Sequence, residues 1–158
     1  MRGSLAPGLL AACAALLFSG CSSLASNKWI GTWELNAAES KYSPGPAPRS
    51  QTVEFHVAGD AITLTSEGVG ADGAATRSSY TSRFDGKDVP WEGNPEADTA
   101  APLKIDSNTY DNIWKTTGVA TMISTVTVSR DGKTLTVVQK GTNANGEPVR
   151  VTAVYDRR

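Results

Sequence analysis

From Trp29 onward, apolar and polar residues alternate in short runs and no helical repeat is sustained. That is the pattern of half-buried strands. The runs are separated by Ala58-Gly59-Asp60, Asp72-Gly73, Asp85-Gly86, Asp131-Gly132 and Asn145-Gly146. Glycine supplies the positive φ of a tight antiparallel turn and Asp or Asn tolerates it alongside, so each pair marks a hairpin. Strands are predicted over Trp29–Asn36, Gln51–Ala58, Ala61–Glu67, Ala75–Phe84, Lys87–Trp91, Leu103–Asp106, Thr109–Thr116, Val119–Ser129, Thr134–Gly141 and Val149–Arg157. The Ser-Pro-Gly-Pro-Ala-Pro stretch from Ser43 to Pro48 is expected to stay out of any ladder and to wrap one end as a stiff extended loop. Gly93-Asn94-Pro95 through Pro102 reads as a second long loop.

Eight to ten antiparallel strands from this length of chain must stack as a sandwich or close as a barrel. Sequential hairpins with few long crossovers favour closure, which also removes exposed edges, so the expected fold is all-β: a single antiparallel up-and-down barrel. An internal echo supports the register. Gly68-Val-Gly-Ala-Asp-Gly73 with Arg77 is matched by Gly141-Thr-Asn-Ala-Asn-Gly146 with Arg150, at a constant offset of 73. If Val149, Val151, Ala153 and Tyr155 point inward, Arg150 and Arg77 point out, and Ser78, Tyr80, Ser82 and Phe84 line the interior. A Ser-Tyr-Ser inner face cannot be a dry core without hydroxyls to satisfy, which suggests a partly wet cavity. The alternative is a filled barrel in which these hydroxyls bond one another or buried water.

Composition narrows the function. The chain has 158 residues, 15 Lys+Arg against 16 Asp+Glu, and one histidine. A formal net charge of −1 gives no basic surface for nucleic acid, and a lone histidine rules out most zinc and His-triad chemistry. At the N-terminus, Arg2 is a positive n-region, Leu5 to Phe18 is a short apolar run, and Phe18-Ser19-Gly20-Cys21 ends it with small residues before a cysteine. This is the pattern of a secretory signal. As a helix the run spans roughly 21 Å against a hydrocarbon core of ~30 Å, which disfavours a permanent membrane span.

The last four residues of that segment resemble a bacterial lipobox, in which the cysteine is diacylated and becomes the new N-terminus. Phe18 departs from it, Leu being usual there. The expectation is a lipoprotein signal peptide over 1–20, a lipidated linker over 21–28 beginning at Cys21, and a barrel domain over 29–158. Ordinary signal-peptidase cleavage nearby is the alternative. Ser22 after the cysteine, with no Asp there, implies by the Gram-negative sorting rule an outer-membrane location facing the periplasm. Cys13 leaves with the signal and Cys21 is consumed by the lipid. No thiol then remains for a disulfide, for catalysis or for a metal, and neither metal nor cofactor is expected.

Gly31-Thr32-Trp33-Glu34-Leu35 resembles the Gly-x-Trp signature of the lipocalin and fatty-acid-binding (calycin) group, and Val154-Tyr155-Asp156-Arg157 resembles the closing strand of its fatty-acid-binding branch. The ordered set of Gly31-Thr32-Trp33, Ser40-Lys41, Tyr42 to Pro48, Tyr80, Asp85-Gly86-Lys87, Gly93-Asn94-Pro95 and Asp131 to Thr136 is similar to a family of small bacterial lipocalin-like envelope proteins. The resemblance implies a calycin-like barrel whose end is closed by Trp33 under the side chain of Arg157, a cation–π contact. One departure matters: the fatty-acid-binding branch holds a carboxylate with an Arg two residues before its inward Tyr, and that place is Ala153 here. Tyr155 can still donate a hydrogen bond, but a neutral or weakly polar ligand fits better.

Catalytic signals are weak. His56 between Phe55 and Val57 is expected to face solvent if those two face the core, Glu96 with Asp98 reads as a solvated turn, and no nucleophile elbow, phosphate loop or His-Glu-x-x-His is present. The aromatic residues are the remaining asset. Trp33, Phe55, Tyr80, Tyr110, Trp114 and Tyr155, with Ser78 and Ser82, are the candidates to line or cap a pocket. The expected role is non-catalytic binding or carriage of a small apolar or weakly polar molecule, with a membrane contact through the acyl anchor. A rival reading is an envelope interaction protein with a filled barrel, presenting Tyr42–Pro48 and Trp91–Pro95 to a protein or cell-wall partner. An enzyme with chemistry inside the barrel would need a general base with an activating neighbour, and none emerges.

Overall fold

Hairpin chemistry sets the frame. In the computed structural model, which describes residues 26–158, the strands in chain order are β1 (Gly31–Leu35), β2 (Lys41–Ser43), β3 (Ser50–Ala58), β4 (Ala61–Val69), β5 (Ala75–Ser82), β6 (Val89–Pro90), β7 (Thr99–Lys104), β8 (Thr109–Thr116), β9 (Val119–Val128), β10 (Thr134–Thr142) and β11 (Pro148–Arg157). The signal segment and Cys21 lie outside the described residues. The β9–β10 turn shows why these sequences reverse the chain: Asp131 Oδ1 accepts from Ser129 Oγ at 2.6 Å and from the Lys133 N–H at 3.1 Å. Asn143 does the same in the β10–β11 turn, accepting from the Asn145 and Glu147 N–H groups. Asp85-Gly86 is different, because it lies in no two-strand hairpin: Asp85 bridges to Leu103, and the Gly86 N–H donates to the Pro102 carbonyl at 2.8 Å.

All neighbours are antiparallel, in the order β5-β4-β3-β1-β11-β10-β9-β8-β7-β6, with β2 also paired to β11. The sheet curls into an up-and-down barrel, and among the described residues there is no α-helix. Its seam runs between β5 and the residues after β6. There Ser79 and Glu92 exchange two backbone hydrogen bonds of 2.9 and 3.0 Å. The next residue must be glycine: Gly93 has φ +72°, and a Cβ on it would lie 2.3 Å from the Arg77 carbonyl oxygen.

Four expectations need correction. The Pro-rich stretch was expected to lie wholly outside the ladder, yet Ser43 pairs with Arg150 as the end of β2. It can do so because the first strand is broken rather than finished at Leu35: the Asn36 N–H donates to the Val154 carbonyl, and Ser40 Oγ accepts the Val154 N–H at 2.9 Å, carrying β11 across the gap to β2. The segment Gly93 to Pro102 is not all loop, since β7 begins at Thr99 and includes Pro102. Proline's missing donor is tolerated there because that edge of Pro102 faces the short Asp85-Gly86 segment, where its carbonyl accepts the Gly86 N–H; beside it, Asn112 Oδ1 accepts the Ala101 N–H at 3.0 Å. Within Lys87–Trp91 only Val89–Pro90 pairs as strand. Val57, expected to face the core, is 40% exposed because β3 runs past the end of the barrel.

Inward positions change character along the strands. From Phe55 through Val53 to Gln51 on β3, from Ile62 through Leu64 to Ser66 on β4, and from Leu135 through Val137 to Gln139 on β10, the series runs from apolar to polar. The apolar ends gather at one pole with Trp29, Trp33, Phe84 and Tyr110, all at most 3% exposed. This is the closed base, and the polar ends form the mouth. Asn27 is buried and the Lys28 N–H donates to the Ser107 carbonyl, so the last residues of the expected linker pack on the base.

Arg157 locks that base. Its guanidinium carbon lies 4.1 Å from the centroid of the Trp33 ring. Its three nitrogens donate to the carbonyls of Gly132 (2.6 Å), Ile30 (3.0 Å) and Lys28 (2.6 Å), joining three chain segments. Trp33 in turn donates its indole N–H to the Trp29 carbonyl at 2.8 Å. Gly31 leaves room for all this, since a Cβ there would fall 2.6 Å from Arg157 Nη1 and its φ is +130°.

Candidate functional site

The barrel encloses a cavity of about 320 Å³ that opens at the mouth. Its deep wall is apolar: Phe55, Leu64, Val126, Leu135 and Ala153. Aromatic rings form a continuous path from the base to the mouth. Trp29 meets Tyr110 at 5.2 Å, Tyr110 meets Phe84 at 4.9 Å, Phe84 meets Tyr80 at 6.4 Å, Tyr80 meets Trp91 at 5.1 Å and Trp91 meets Trp114 at 4.6 Å between centroids. The edge-on pairs among them, Tyr110–Phe84, Tyr80–Trp91 and Trp91–Trp114, fix ring orientations beyond what area burial alone would do.

Of the residues singled out in the sequence, Phe55, Ser78, Tyr80, Tyr110, Trp114 and Tyr155 line the cavity. Trp33 and Ser82 do not. Trp33 is fully buried beneath Arg157 as part of the base, and Ser82 sits at the base end of β5, where its hydroxyl accepts the Phe84 N–H at 3.0 Å. That bond caps the chain where Phe84 takes a φ of +57°. His56 is exposed and faces Thr63 across the ladder, away from the cavity. Asp98 is a structural acceptor: it takes the Thr117 N–H at 2.7 Å and the Thr99 hydroxyl at 2.9 Å, and these bonds hold its carboxyl below the usual carboxylate range.

The lining has two polar walls. On β3, β4 and β11, the Tyr155 hydroxyl donates to Gln51 Oε1 at 2.6 Å, and Gln51 Nε2 donates to Ser66 Oγ at 2.8 Å. Tyr155 is therefore already engaged, instead of being free to meet a ligand as expected from sequence. Across the cavity, on β8, β9 and the segment after β6, the Trp91 and Trp114 indole nitrogens and Ser124 Oγ are buried without a hydrogen-bond partner. The Tyr80 hydroxyl is buried beside the Tyr110 phenol. A buried donor left unmade costs about 1–3 kcal/mol.

Electrostatically the interior is neutral. Burial pushes the phenols of Tyr80, Tyr110 and Tyr155 well above the ordinary tyrosine range, and Tyr42 is raised too, chiefly by burial. Arg77 is the one charged residue of the lining, and its exposed guanidinium pairs with Glu67. No lining side chain supplies a carboxylate, imidazole, amine or thiol, so the cavity offers apolar contact and neutral hydrogen bonds only.

Sequence reasoning missed Trp91, Gln51, Ser66, Asn112 and Ser124. Alternation through Val126 and Val128 on β9 puts Ser124 inward, and this could have been read. Trp91 had no such signal, because it follows a two-residue strand and is placed by the seam.

No protein-family model matches the chain, and no curated protein sequence does. Among solved structures, the zebrafish ileal bile acid-binding protein in complex with cholic acid superposes with a TM-score of 0.51 at 14% identity, covering 84% of this chain and 100% of that one. The siderocalin Ex-FABP matches at a TM-score of 0.35 and 8% identity, over 84% of this chain and 75% of that one, too low to bear on the argument. The first of these shows that the chain has the calycin-like barrel fold.

Proposed function

We propose that this chain binds and carries, without catalysis, a small neutral and largely apolar molecule inside its barrel. The observation that carries the reading is the cavity of about 320 Å³, walled by aliphatic and aromatic side chains and free of any acid–base group. A filled barrel would interdigitate those side chains to the density of a protein interior. The zebrafish protein with the same fold is a bile acid-binding protein, which is in keeping with this use of the architecture. The missing Arg at Ala153 and the neutral phenols favour an uncharged cargo over a fatty-acid anion.

The proposed setting is the bacterial cell envelope, with Cys21 acylated and the barrel held at the outer membrane facing the periplasm. Phe18-Ser19-Gly20-Cys21 supports it. Asn27 and Lys28 pack on the base, so an anchor upstream of them would hang from the closed pole and leave the mouth free. Two or three acyl chains, at ~0.8 kcal/mol per buried methylene, make a stable attachment.

The test is titration of the full chain with 1-aminoanthracene, a neutral fluorescent apolar probe. Saturable enhancement at one probe per chain, abolished by Ala153→Phe in a variant that still unfolds cooperatively, is the expected result. Enhancement that is absent, or that survives the cavity-filling substitution, would contradict the reading.

A further inference from the structure

The unpaired donors point to more than an apolar cargo. Trp91 and Trp114 meet edge to face at 4.6 Å, and both line the cavity. An indole nitrogen can only donate, so neither nitrogen can accept the other's N–H. Ser124 lies on β9, two residues from Met122, the residue paired with Trp114 on β8, and its hydroxyl is also buried and unpaired. Three unmet polar atoms on one side of an apolar chamber are unusual, because buried polar groups are normally satisfied. The facing wall differs: there Tyr155, Gln51 and Ser66 close their hydrogen bonds among themselves.

We infer that the wall formed by Trp91, Trp114 and Ser124 is the polar subsite of the cavity, and that its ligand is a neutral molecule bearing a carbonyl, ester or ether oxygen on an apolar skeleton. This inference rests on the binding reading above and names the ligand class. An anion is a poor match, since the only charged lining residue, Arg77, is exposed and paired with Glu67. A pure hydrocarbon is also a poor match, since it would exclude water from the indole N–H groups and give them nothing in return. A molecule offering only donors would meet donors.

The experiment compares 9-fluorenone with fluorene, which has the same ring skeleton without the oxygen, on the full chain labelled with ¹⁵N at its tryptophan indoles. Fluorenone is expected to bind about tenfold more tightly, the value of one added hydrogen bond to a buried donor. It should move the Trp91 and Trp114 indole signals, assigned through Trp91→Phe and Trp114→Phe. The Trp33 signal should stay, because that N–H is already held by the Trp29 carbonyl. Each Phe variant should reduce the preference for fluorenone over fluorene several-fold. Equal affinities with unmoved indole signals would overturn the acceptor inference and leave the binding reading standing. Binding of neither probe would overturn both.

Discussion

Two walls of one cavity hold polar atoms in opposite conditions. On the β3, β4 and β11 side, Tyr155, Gln51 and Ser66 form a closed chain of hydrogen bonds. On the opposite side, Trp91, Trp114 and Ser124 present atoms with no partner. The difference shows that burial alone says little about what a polar residue does. In a closed chain each group stabilises its neighbour, so removing one strands the next. In an open set each group is a cost to the empty protein, recovered only when an acceptor arrives.

The largest expected effect comes from breaking the base that holds both walls in place. Arg157→Ala removes the cation–π contact with Trp33 and three bonds to carbonyls, and should lower unfolding free energy in urea by about 2–4 kcal/mol. Arg157→Lys should recover little of it, since an ammonium cannot reach three carbonyls from one plane. Tyr155→Phe comes next: it leaves Gln51 Oε1 without its donor and should cost about 1–3 kcal/mol by the same measurement. The open wall should behave in the opposite way. Ser124→Ala is expected to be neutral, or to stabilise the empty protein by up to about 1 kcal/mol, because it deletes a buried hydroxyl that has no partner.

A comparably small effect, confined to alkaline solution, concerns pH. Tyr80 keeps its proton in the folded chain to a higher pH than in the unfolded chain, where a phenol ionises near 10. Below that value its contribution to stability is complete. Above it the unfolded chain releases its proton first, so the contribution falls as pH rises toward the folded value. Tyr80→Phe should therefore soften the alkaline loss of stability by about 1 kcal/mol near pH 11 while leaving the neutral range unaltered. An alkaline slope unaffected by the substitution would mean that the phenol is solvated.

Much of the fold was legible because hairpin signals are local. Asp131-Gly132 and Asn145-Gly146 carry their turn chemistry in adjacent residues, and period-two alternation assigned Val151, Ala153 and Tyr155 to the interior. What stayed hidden depends on partners distant in sequence. Pro102 entered a strand because its donor-less edge meets only the short Asp85-Gly86 segment, and Ser43 entered one because Ser40 bridged the broken first strand to Val154. The site was legible in the same measure. Phe55, Tyr80, Tyr110 and Trp114 could be placed inward by alternation, whereas the engagement of Tyr155 by Gln51 spans 104 residues and left no mark in the local pattern.

The central claim is that the barrel is a chamber for a ligand and not a filled core. Native mass spectrometry of the full chain, after incubation with lipid extract from its own source, tests it most directly. The account predicts a single discrete mass added per chain, absent from Ala153→Phe and released as a neutral molecule. A bare chain under the same conditions, with the Ala153→Phe variant indistinguishable from the parent, would contradict it.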